Sequence, residues 1–401
     1  MNSAIGRPSE GHADPSSARS SLLLALYVSG RTMLDMGGAV FILSTFATIR
    51  ATHHLPNYFS FSGKRSLHVD VAKGIAMLGI VAIHNPMLLK HGGGVFDALL
   101  AFALPVFFVA TGMFIREDAQ WRDVIATRSR SLLMPYAAVV IAQALWQMPL
   151  SMSRAAQTAS GALYASGATV PWVTLWFLPH LWLVSILAYV VTRLTRRVAY
   201  RRAICGLAAI ALIATGSWAL HQFDRPDAPA QLPWSIDLLP LSLAFVLAGH
   251  VCRRFLLTLR ANGWLILCVT AAFIFVQALP GSSMDLNLRR YDNAGLTTLS
   301  ALLGCYLVYS IASLIGDVPG VGRTMSAIGR ASLIVCIVHF PVQQLLLQHV
   351  GHAPVHPTML LAASLSVVSV GISMLVNYAI QCSGRLNWRR HKVYERSFSN
   401  F

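Results

Sequence analysis

Runs of about twenty apolar residues recur along almost the whole chain, separated by short arginine-rich segments. A bilayer core needs about 20 apolar residues per crossing helix. The runs are Val71–Leu89, Val95–Ile115, Leu132–Leu150, Val173–Thr192, Ala203–Leu220, Leu238–Val251, Trp264–Leu279, Ala294–Ile315, Ile328–Leu347 and Thr358–Ile380. The expected fold is therefore all-α, a polytopic membrane protein of about ten transmembrane helices, the sixth starting as early as Ile236. Composition agrees: 55% of the 401 residues are hydrophobic and 11% are charged, against roughly a quarter charged in an average soluble domain. Only a lipid solvent lets so apolar a chain keep its outer faces apolar.

The net charge of +16 would suit nucleic acid if it lay on one soluble face. Here it follows the loops instead, so no nucleic-acid partner is expected. One alternate set of loops, with the tail, carries 21 Lys and Arg, and the other set carries 5. The positive-inside rule puts the rich set in the cytoplasm. Both ends of the ten-span body and the C-terminus then face the cytoplasm, and the lipid bilayer is the first partner. The expected division is an N-terminal extension over 1–60, a transmembrane domain over 61–384 and a basic tail over 385–401. Within the extension, residues 1–20 are polar and read as disordered. Leu22–Ile49, interrupted by Arg31 and Asp35, is left open between an extra helix, an interfacial segment and a leader. The six cysteines lie in or beside apolar runs without C-x-x-C spacing. Buried inert thiols are expected, not a disulfide framework or a metal site.

The outer loops Ser151–Trp172, His221–Asp237 and Pro280–Asn293 are too short to build a soluble domain, so any chemistry belongs among the helices. Ionisable groups at membrane depth are costly and usually functional. The first run reads Asp70-Val-Ala-Lys73 through to His84. Eleven helical residues place Lys73 and His84 within about 20° of one face and about 16 Å apart along the axis. Asp70, at i−3, can pair with Lys73. Alone, Lys73 is equally compatible with snorkelling to headgroups, and His84 with a satisfied interfacial histidine. His339 shares a face with Ser332 seven residues earlier, and His180 follows Pro179; each alone is more often structural. Arg128 and Arg130 stand at the cytoplasmic end of a span, where arginine can anchor to headgroups or fork onto phosphate. Pro105 can open a cavity by freeing a helical carbonyl. No nucleophile elbow, Walker loop, zincin helix or dinucleotide fingerprint occurs in context.

Asp70-Val-Ala-Lys73-Gly-Ile-Ala through His84 resembles the first-helix signature of the acyltransferase-3 family of membrane O-acyltransferases. Pro105-Val-Phe-Phe-Val-Ala-Thr-Gly112, Arg130-Ser-Leu-Leu-Met-Pro-Tyr136, Leu175-Trp-Phe-Leu-Pro179 and Gly329-Arg-Ala-Ser-Leu-Ile-Val-Cys-Ile-Val-His339 resemble its later blocks, in order, from about Arg65 to Ile380. The chain is most similar to the fucose 4-O-acetylase-like and exopolysaccharide acetyltransferase branch. The resemblance implies a bacterial inner-membrane enzyme. Its donor would be cytoplasmic acetyl-CoA, its acceptor a sugar or lipid-linked glycan, and its partners polysaccharide synthesis machinery. It makes Lys73, His84 and His339 the catalytic residues, with Arg128, Arg130 and Lys73 on the phosphates of coenzyme A. Asp70, Ser332 and His180 would support them. Many relatives carry Arg at Lys73, space the later arginines R-x-x-R, and have an aromatic at Cys336. A glycan or small-molecule transporter, or a non-catalytic partner of a synthesis complex, is the rival reading; the lack of an evident two-fold repeat speaks against the transporter.

Overall fold

The computed structural model describes residues 66–223, 231–350 and 358–398; the extension 1–60, with Leu22–Ile49, lies outside them. Among the described residues eight helical segments are long and apolar enough to cross a membrane. The chain begins with α1 (Leu67–Ile83) and α2 (Pro86–Gly92), then α3 (Gly94–Met113). A single 27-residue segment follows, made of α4 (Trp121–Arg128), one π turn (Ser129–Leu133) and α5 (Met134–Gln147). Next come α6 (Met152–Tyr164), a 3-10 turn (Val173–Trp176) and α7 (Phe177–Thr195). After α8 (Arg201–Phe223), a second 3-10 stretch (Pro233–Leu238) leads into α9 (Leu239–Val251). Then follow α10 (Arg253–Leu257), α11 (Gly263–Ala278), α12 (Ala294–Ile315), α13 (Val321–Arg330), α14 (Ser332–Val350) and α15 (Met359–Phe398).

Several expectations are corrected. The first run is not one helix: it breaks at His84-Asn85, because Pro86 cannot continue the backbone ladder and Asn85 caps a new helix. With α1 at 17 residues and α11 at 16, each is about 25 Å long, short of the eight others. The ninth run divides at Ala331, so Ile328 belongs to the amphipathic α13 and not to α14. Arg122, Arg128 and Arg130 ride on the extended α4–α5 segment and not in a loop. The outer loop Ser151–Trp172 contains α6, which turns back along α5 until Tyr136 Oη donates to the Ala162 carbonyl at 2.6 Å. Cys252 and Cys268 are exposed, while Cys205, Cys305 and Cys336 are buried as expected. Among the described residues, the one departure from an all-α fold is a two-residue ribbon, β1 (Met284–Asp285) antiparallel to β2 (Arg290–Tyr291).

The centre is α3, which packs on α1, α9 and α12, and α13 crosses α1. Two crossings need glycine for close backbone approach. A methyl group on Gly112 would strike the Val246 carbonyl, and one on Gly249 the Val109 carbonyl. Gly74 and Gly329 lock α1 against α13 in the same way, facing the carbonyls of Met325 and Asp70. Outward, α8, α11 and α15 present large apolar side chains such as Leu207, Phe275 and Val367. Apolar patches of that extent suit lipid and not water.

The two loop sets gather at opposite ends. At one, Glu117 accepts from Arg201 Nη1 at 2.8 Å and lies 3.2 Å from His250 Nε2, while Arg193 Nη1 donates to the Ala119 carbonyl at 2.6 Å. At the other, Arg289 Nε donates to Asp237 Oδ2 at 2.7 Å in an ion pair that is almost fully buried. The same guanidinium reaches Ser235 Oγ at 2.9 Å and lies over the Trp176 ring. This segregation is what the loop charges of the sequence require.

Candidate active site

The end of α1 and the middle of α14 meet at two imidazoles. The rings of His84 and His339 pack edge to face with centroids 5.4 Å apart, and Phe340 packs edge-on against His84 at 5.8 Å. His339 is completely buried; His84 is partly open. His84 Nδ1 lies 2.7 Å from the Ile80 carbonyl, and His339 Nδ1 lies 2.6 Å from the Val335 carbonyl. A carbonyl oxygen can only accept, so each neutral ring carries its proton on Nδ1 and leaves a bare lone pair on Nε2. Among the described residues neither Nε2 has a partner, and that of His339 is buried. Both rings are thus held by their own helices in the tautomer that accepts a proton or a hydroxyl hydrogen.

A network that the sequence reading missed holds this junction. Asn85 is fully buried. Its Oδ1 accepts from the amides of Met87 and Leu88, starting α2. Its Nδ2 donates to the Ala362 carbonyl at 2.8 Å and to Ser366 Oγ at 3.0 Å on α15. Gln343, one turn beyond His339, donates from Nε2 to the Val81 carbonyl at 3.3 Å and to Ser366 Oγ at 3.0 Å. The Asn-Pro step after His84 was the only signal in the sequence for this break. Gln343 and Ser366 gave no local pattern, because their roles depend on α15 coming alongside.

The other expected residues are placed as follows. Lys73 Nζ lies 4.0 Å from Asp70 Oδ1, and Arg330 Nη1 lies 3.9 Å from Asp70 Oδ2. Asp70 therefore stands between two cations near the start of α1, about 21 Å below His84 along the helix axis. Arg128 is half-buried at the start of the π turn, and Arg130 is exposed. Two residues apart on a helix, they point to nearly opposite faces, so the structure does not bring them together as one clamp. The π turn itself is tied to α7, where Trp182 Nε1 donates to Ser129 Oγ at 3.0 Å. His180 is buried with both nitrogens used: Nδ1 donates to the Trp234 carbonyl at 3.2 Å and Nε2 accepts from Ser242 Oγ at 2.8 Å. It joins α7 to α9 and has no free lone pair. Ser332 is half-buried and opens α14, two turns before His339.

Three residues before His339 on α14, the Val173–Trp176 turn packs at Cys336, whose Sγ lies 3.8 Å from the Thr174 carbonyl. Trp172 Nε1 and Thr174 Oγ1 are buried there without partners among the described residues.

A family model described as "Acyltransferase domain" matches residues 67–378. It spans α1 to α15 and includes every residue discussed above. Comparison with curated proteins and with solved structures returned no match.

Proposed function

The chain belongs to the acyltransferase-3 family of multi-pass membrane acyltransferases, and from that premise we propose that it moves acetyl from cytoplasmic acetyl-CoA to a sugar hydroxyl of an exopolysaccharide or other envelope glycan in the bacterial inner membrane. The observation that carries the reading is the His84–His339 pair, two imidazoles held edge to face, each with Nδ1 on a carbonyl of its own helix.

In this reading Arg128 supplies charge for the phosphates of coenzyme A on the α4–α5 wall, with Arg130 outside it. Lys73 and Arg330, around Asp70, make the mouth of α1 cationic. The pantetheine arm runs along α1 towards His84. His84 Nε2 takes the proton of the acceptor hydroxyl as its oxygen bonds to the thioester carbonyl carbon. The tetrahedral oxyanion then collapses, the C–S bond breaks, and the proton on His84 passes to the departing thiolate. The products are the O-acetyl sugar and coenzyme A. Nδ1 stays hydrogen-bonded to the Ile80 carbonyl throughout, which spreads the charge of the imidazolium. A neutral His339 offers a lone pair to a hydroxyl; it serves an oxyanion only when protonated.

The test is mass spectrometry of envelope glycans from strains with and without the protein, paired with purified full-length protein, labelled acetyl-CoA and the glycan of the deficient strain. Transfer of label, and acetate present only in the complete strain, is the expected result. A carrier would move glycan without labelling it, and a scaffold would do neither.

A further inference from the structure

We infer that beside the histidine pair lies a subsite for a second hydroxyl, so that the acceptor is a polyol with hydroxyls on adjacent carbons and not a monohydric alcohol. This deepens the transferase reading above and rests on it. Hydrogen-bond acceptors outnumber donors beside the pair. Gln343 is fully buried. Its amide orientation is fixed, because the Val81 carbonyl must receive a hydrogen and so faces Nε2. Gln343 Oε1 is then an acceptor, buried and without a partner among the described residues. His339 Nε2 is a second such acceptor, one helical turn away on the same face, and the partly open His84 ring adds its Nε2 across the ring contact.

Two buried acceptors without a hydrogen are a costly arrangement for a protein interior, where buried polar groups are normally paired. No change of tautomer relieves it, since each histidine's Nδ1 is committed to a carbonyl. A ligand rich in O–H groups relieves it. Side chains at i and i+4 stand about 5–6 Å apart at Cβ, and two hydrogen bonds of about 2.8 Å can converge from that spacing onto neighbouring hydroxyls. His84 would take the hydroxyl that is acylated. His339 and Gln343 would hold the one beside it. An acceptor lacking the second hydroxyl would leave a buried atom unpaired, a loss on the order of tenfold to a hundredfold.

The experiment uses full-length protein in nanodiscs, labelled acetyl-CoA and, as probe, the glycan from the strain lacking the protein. Wild-type product is mapped by NMR, and wild type is compared with Gln343→Met. The expected result is acetate on a carbon whose neighbour bears a free hydroxyl. In Gln343→Met, which also loses the Nε2 bonds to Val81 and Ser366, kcat should fall, and the KM for glycan should rise about tenfold or more while the KM for acetyl-CoA stays within about threefold of wild type. An injury to the fold would disturb both KM values instead. An unchanged glycan KM in the variant, or wild-type acetate on a carbon with no free hydroxyl beside it, overturns the subsite and leaves the transferase reading standing. The mapping needs no variant, so it decides the matter even where Gln343→Met does not fold. Absence of label from wild-type product overturns the transferase reading, and the subsite with it.

Discussion

Asn85→Ala should damage both the stability of the protein and its activity, and the structure sets the scale. Asn85 is buried and makes four hydrogen bonds: two as acceptor from the first amides of α2, two as donor to α15. Loss of an N-cap costs about 0.5–2 kcal/mol. The donor bonds are worth about 1 kcal/mol each, and interhelical hydrogen bonds in membranes average nearer 0.6. The total is about 2–3 kcal/mol, because no water reaches the site to replace them. Asn85→Asp keeps the acceptor for both amides but sets a buried carboxylate against the Ala362 carbonyl, so it should lose at least as much. The assay is thermal unfolding of purified protein in one detergent, with acetyl transfer measured well below the transition. Since Asn85 fixes the break that leaves His84 at the end of α1, transfer should fall at least tenfold in Asn85→Ala. A variant with unchanged midpoint and unchanged rate would refute the claim that this network holds the site.

Other outcomes follow from the same physics. Gly329→Val should cost about 1–3 kcal/mol or prevent assembly, because the new side chain meets the Asp70 backbone; Gly206→Ala, on α8 with open space around it, should be neutral or stabilise by up to about 1 kcal/mol in thermal unfolding. Arg289→Met and Asp237→Leu should each destabilise by about 3–5 kcal/mol, and the double variant by less than the sum, since only the single changes leave a buried charge uncompensated. Arg128→Ala should raise the KM for acetyl-CoA more than Arg130→Ala, as the first side chain is half-buried and the second is exposed.

Most of the helical plan was legible from apolar run length and from loop charge, because both are local and a bilayer allows little else. What escaped was whatever depends on a neighbour. The division at Ala331 escaped because Ile328 runs straight into the apolar stretch, although Val321–Arg330 just upstream has the polar and apolar faces of the helix that crosses α1 at Gly74 and Gly329. The burial of Arg128 and exposure of Arg130 depend on helical phase through a π turn, and no residue type announces that turn. At the site, chemistry-bearing types stood out: His84 and His339 are rare in apolar runs, and the structure sets them ring against ring. His180 was equally conspicuous, yet both its nitrogens are engaged. Asn85, Gln343 and Ser366 did not stand out, since polar uncharged residues are tolerated in membrane helices and only the fold shows them converging.

The central claim is that His84 Nε2 removes the proton from the acceptor hydroxyl. The most direct measurement is transfer of labelled acetyl from acetyl-CoA to glycan by purified wild-type and His84→Ala protein of equal folding and helicity. Loss of a general base costs about 10²–10⁴ in rate, so the variant should give at least a hundredfold less product while still inserting in the membrane. Labelling by the variant at the wild-type rate would contradict the account.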